Sequence, residues 1–174
     1  GSMKAGGAAE TCLERYYERL REKLQGLAGS EAAIEDDVLE LYIHLADVLS
    51  VKAGMGNRLC AAYAAGDKAA LKDIAEKEIP SCMEKIREYK RCREEIWDSE
   101  SKIFGYEVLD IRLGGLLSRM ETAQRRLKGY VSGRLDKLPE LEEARLPYRP
   151  VKDGEEHKLC SCNSWRMIVS ASPV

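Results

Sequence analysis

Four long stretches of this chain place apolar residues three and four positions apart, a spacing that fits helices with one buried side. In the first, from about Ala8 to Leu27, the stripe is Leu13, Tyr16, Tyr17, Leu20, Leu24 and Leu27. Glu14, Arg15, Glu18, Arg19, Glu22 and Lys23 fill the other face, where opposite charges four residues apart support one another. Gly26 and Gly29 loosen and end this helix. Ser30 is suited to cap the next one, whose early Glu31, Glu35, Asp36 and Asp37 match the positive end of a helix dipole.

The second stretch carries Ile34, Val38, Leu41, Tyr42, Leu45, Val48 and Leu49, then Met55, Leu59 and Tyr63. Gly54 and Gly56 interrupt it at about 1 kcal/mol each relative to Ala, so a bend or a close helix contact is expected there. Gly66-Asp67 reads as a left-handed stop followed by an N-cap. The third stretch points Leu71, Ile74, Ile79, Met83, Ile86, Tyr89 and Trp97 inward, with Pro80 expected to kink or split it near Ile79. After a break around Gly105, the fourth places Val108, Ile111, Leu116, Met120, Ala123, Leu127, Tyr130 and Val131 inward and ends at Gly133. Leu138-Pro139-Glu140 opens a short acidic turn or helix, because Pro fits a first helical position.

These stretches predict an all-α fold, an antiparallel bundle of about four long helices with a short extended C-terminal tail. Residues 1–7 read as a cloning scar (Gly1-Ser2-Met3) and flexible start, 8–146 as the bundle, and 147–174 as a loop and tail. The apolar run Trp165-Arg166-Met167-Ile168-Val169 in that tail lacks a partner strand.

Charge and composition narrow the function. Lys and Arg number 28 against 30 Asp and Glu, a net charge of −2, so no basic excess exists to neutralise a nucleic-acid backbone. No window of about 20 residues runs apolar, which argues against membrane insertion. Six cysteines are too sparse for a disulfide scaffold, and they favour a reducing, cytoplasmic setting. Cys12, Cys60, Cys82 and Cys92 lie in helical patterns, where a free thiol acts as a small apolar residue.

Little in the chain has the pattern of a catalyst. His157, Cys160 and Cys162 cluster near the end, but the Cys-x-Cys spacing is short for zinc and a fourth ligand is missing. Glu40 precedes His44 by four residues, a lone half-site where a di-iron bundle needs Glu-x-x-His on two helices. No phosphate-binding loop and no dinucleotide-binding glycine fingerprint occurs. Gly114-Gly115 lies within a helical pattern, where two residues without side chains let another surface approach closely. Arg112 sits among apolar residues, so it needs a carboxylate or carbonyl partner. No catalytic residue, metal or cofactor is expected.

Trp97 and the run Lys102-Ile103-Phe104-Gly105-Tyr106-Glu107-Val108-Leu109-Asp110-Ile111-Arg112-Leu113-Gly114-Gly115-Leu116 resemble the C-terminal helical region of bacterial family 20 glycoside hydrolases, the β-N-acetylhexosaminidases. Asp47 to Ala53, Gly66 to Leu71, Gly133 to Asp136 and Trp165 to Ser170 fit the same pattern. The resemblance implies a (β/α)₈ barrel upstream, in which a Glu protonates the leaving group and an adjacent Asp orients the substrate's acetamido group. The dipeptide Asp-Glu occurs nowhere in this chain, and no strand–helix alternation is present to build a barrel of about 250 residues. The chain is therefore expected to be a non-catalytic accessory domain whose partner is the upstream barrel of the same polypeptide. Phe104, Tyr106, Arg112, Gly114, Gly115 and Trp165 are the expected interface. A free-standing helical interaction or oligomerisation module, with a homodimer as partner, is the alternative.

Overall fold

The computed structural model describes the backbone of residues 7–28 and 35–143, and side chains from Leu13 onward. Every regular element among them is helical: α1 Gly7–Gln25, α2 Asp36–Ala64, α3 Lys68–Asp73, a π turn Ile74–Glu78, α4 Ile79–Glu100, α5 Tyr106–Val131 and α6 Pro139–Glu142. Contacts across the elements fix their directions. Along α1 and α2, Glu14 meets Arg58 while Arg21 meets Asp47, so the two run antiparallel. Asp47 meets Lys85 and Arg58 meets Glu78, which sets α4 antiparallel to α2. Lys90 pairs with Asp110, and Gln124 reaches back to Ala75, so α5 is antiparallel to α4. The expected all-α antiparallel arrangement is present.

Local sequence explains the ends. Gly66 adopts φ +65°, and the Asp67 carboxylate accepts from the backbone N–H groups of Ala69 and Ala70 at 3.1 and 2.9 Å, the stop and start expected there. Gly133 ends α5 at φ +77°, a left-handed conformation that favours glycine. Pro139 stands in the first turn of α6, as its missing N–H allows. The start of α2 differs from expectation. It begins at Asp36, Glu35 flanks it without a side-chain cap, and Ser30 lies outside the described residues.

Pro80 neither breaks nor sharply ends the third helical stretch. Its ring would clash with the carbonyl four residues back, and it has no N–H to donate. The chain answers by widening one turn: the Ile79 N–H bonds the Ile74 carbonyl five residues back, and α4 restarts with Pro80 at its N-terminus.

The core is built by α2, α3, the π turn, α4 and α5, around the fully enclosed Leu71, Ile79, Ile86, Leu138 and Cys82. None of the described side chains in it comes from α1. That helix lies on α2, and Leu13 and Tyr16 of its apolar stripe remain exposed.

Candidate functional site

Two ion-pair clusters hold α1 on the bundle. The Asp47 carboxylate takes Arg21 of α1 and Lys85 of α4, each at 2.5 Å. Burial pushes that carboxyl up, but hydrogen bonds and charge from Lys85 and Arg21 outweigh burial and hold it below the usual carboxylate value. Arg58 of α2 binds Glu14 of α1 at 2.5 Å and Glu78 of the π turn at 2.6 Å. Burial disfavours its charge, and the two carboxylates more than restore it. Glu14 also accepts from the Gly54 N–H at 3.2 Å, an approach that glycine alone leaves room for. The Asp47 carboxylate, shared between Arg21 and Lys85, thus clamps α1 to α2 and α4.

His44 faces Glu40 at 3.6 Å along one helix. Cys82 and Cys92 are buried, and burial pushes both thiols up, so neither is an ionised nucleophile at neutral pH. Among the described residues, Glu35, Asp37 and Glu100 alone bring three potential metal-ligand atoms together, and all three side chains are exposed. His157, Cys160 and Cys162 lie outside the described residues.

What the fold does assemble is a rigid corner between α4 and α5. Gly105 turns the chain at φ +100°, and its N–H donates to the Glu107 carboxylate at 2.7 Å. The Trp97 indole N–H donates to the Lys102 carbonyl at 2.8 Å, closing the loop onto α4. Tyr106 packs its ring on Trp97 with centroids 5.7 Å apart and donates its hydroxyl to the Lys90 carbonyl at 3.1 Å. Lys90 in turn pairs with Asp110 at 2.7 Å. Held out by this bracing are Ile103 and Phe104, 72% and 83% exposed.

Of the residues expected at an interface, Phe104 is thus held out to solvent, whereas Tyr106 is buried inside the corner as its brace. Arg112 is exposed on α5 and makes contacts of its own. Gly114 has open space where a side chain would project, and Gly115 is half-buried. Trp165 lies outside the described residues. Among the described residues, close approach to a helical glycine occurs at Gly54 and at Gly129, where a Cβ would meet Arg134 and Leu135 at 3.1 Å. Ile111, read as inward, is 38% exposed and shares an outward face with Glu107, Gly114 and Ser118. Ile103 was legible only as one apolar residue in a broken stretch, because a loop has no period to show which way it points.

Within the described residues no helix is long and apolar enough to cross a membrane. No curated protein matches the chain. A sequence model of the family described as Glycoside Hydrolase 20C C-terminal domain matches residues 6–161.

Proposed function

The chain belongs to the Glycoside Hydrolase 20C C-terminal domain family, and from that premise we propose that it packs on the catalytic barrel upstream in the same polypeptide, docking through the α4–α5 corner. As an accessory domain of a family 20 hydrolase it leaves the removal of terminal N-acetylhexosamine to the barrel and braces the barrel's structure. The observation that carries this reading is the exposure of Ile103 and Phe104 side by side on a loop whose backbone is tied down on both sides. A fixed loop loses little conformational freedom on docking, so most of the apolar gain is kept. Burying two such side chains contributes about 1.5–3 kcal/mol each. The outward face of α5 around Gly114 and Arg112 extends the surface without a bulky obstacle at Gly114.

Hydrogen exchange compares the full-length hydrolase with this chain alone. Amides from 102 to 115 are expected to be slower in the full-length protein, and Phe104→Ser is expected to abolish that difference while leaving the isolated chain's stability within about 0.5 kcal/mol. Equal exchange in the two contexts would remove the proposal.

A second reading, a free-standing oligomerising module, is favoured by Leu13 and Tyr16, 46% and 58% exposed on α1. Light scattering separates the two. A monomer supports docking on the barrel; a symmetric dimer lost on Tyr16→Ser supports the module.

A further inference from the structure

The end of α5 faces the π turn across a cleft of about 520 Å³ that the docking corner does not use. Lys72 of α3 and Lys128 and Arg134 at the end of α5 line it, together with Glu76 and Ser132. None of the three cations has an ion-pair partner among the described residues. Three cations against one carboxylate leave the cleft with a net positive charge, in a chain whose overall charge is −2.

The cleft is built, not a chance meeting of surface side chains. The Gln124 amide donates to the Ala75 carbonyl at 2.8 Å, locking the π turn to α5 just behind the opening. A π turn widens a helix locally, and such turns are frequent at functional sites. Arg134 is placed by backbone as well. Gly133 reverses the chain, the Leu135 N–H returns to the Gly129 carbonyl at 3.0 Å, and a guanidinium nitrogen lies 3.1 Å from where a Gly129 Cβ would stand.

We propose that this cleft binds a small hydroxylated oxyanion, a sugar bearing a carboxylate or a phosphate group. Lys128, Arg134 and Lys72 take the anionic oxygens, Arg134 with the paired N–H geometry that suits carboxylate and phosphate alike. The Ser132 hydroxyl already donates its hydrogen bond to the Gly129 carbonyl at 3.1 Å, so its oxygen and the Glu76 carboxylate are left to accept from sugar hydroxyls. A purely inorganic ion would leave that accepting side of the cleft idle.

Calorimetric titration of the 174-residue chain at low salt tests this with glucuronate, glucose 6-phosphate, inorganic phosphate and glucose. Saturable binding of glucuronate or glucose 6-phosphate, at least tenfold tighter than glucose and tighter than inorganic phosphate, supports the proposal; which of the two sugars wins names the anion. Arg134→Gln is expected to weaken it about tenfold, the loss of one charge-assisted contact. Lys52→Gln, outside this cleft, is expected to leave it unchanged. If Arg134→Gln proves unfolded by circular dichroism, Lys128→Gln is read in its place. Absence of saturation, equal binding of glucose, or equal losses in the cleft and Lys52 variants would each overturn the assignment, the last by showing only diffuse attraction of an anion.

Discussion

Replacing Gly54 by alanine and replacing Gly56 by alanine are the same chemical change two residues apart in one helix, and they are expected to shift stability in opposite directions. In a helix interior the added methyl restricts the unfolded chain and contributes about 1 kcal/mol. At Gly56 nothing lies within 4 Å of the new Cβ, so the whole gain is kept. At Gly54 the Cβ would stand 2.8 Å from a Glu14 oxygen and 2.8 Å from an Arg58 nitrogen. Both are ends of flexible side chains and move aside, but Glu14 then gives up the Gly54 N–H and its pairing with Arg58. Two hydrogen bonds to a charged group contribute roughly 1.5–3 kcal/mol each when buried, and partial exposure of Arg58 reduces the sum to about 2 kcal/mol. The net is a loss of about 1 kcal/mol at Gly54 against a gain of about 1 at Gly56, or melting shifts of about 2–4 °C downward and upward. Urea unfolding and thermal melts read both. In a Glu14→Ala background the Gly54→Ala loss is expected to turn into a gain, because only the flexible end of Arg58, no longer held by Glu14, is left to move aside. Equal gains at the two glycines would refute the claim that Glu14 clamps α1 through that gap.

Asp47, held below the usual carboxylate range, makes stability depend on pH with a definite sign. Its contribution is complete above the unfolded value near pH 4 and is lost as pH falls through the lower folded value. Asp47→Asn is therefore expected to be less stable at neutral pH and to converge on the parent chain in acid, a convergence that pH-resolved urea titration reads directly. Leu71→Ala empties the centre of the core, where Leu71 is fully enclosed, and is expected to cost about 2–5 kcal/mol by the same titration. Cys82 and Cys92, buried with their pKa values pushed up, are expected to resist a thiol reagent in the native chain and to react at once in denaturant, which peptide mapping of the labelled sites would show.

Much of this architecture is set by short-range chemistry and is readable without coordinates. Apolar residues three and four apart define helical faces, Gly66-Asp67 stops one helix and caps the next, Gly133 ends α5, and Pro139 begins α6. Each of these depends on a few consecutive residues and their backbone preferences. The region around Phe104 was likewise visible, since an interrupted period marks a loop.

Partner choice was not readable in that way. The α1 stripe looks like any core-facing stripe, yet it lies on α2 outside the core, because periodicity names a face and not what covers it. Tyr106 and Phe104 stand two residues apart, one a buried brace and one exposed, and only the turn at Gly105 and the reach of Trp97 separate them. Gly54 and Gly114 are both helical glycines, but close approach is a property of the neighbour, and Glu14 lies 40 residues away along the chain. The π turn is the intermediate case. Pro80 announces a disturbed helix, while the packing on both sides of it, holding α3 and α4 to one core, decides that a widened turn and not a break absorbs the missing N–H.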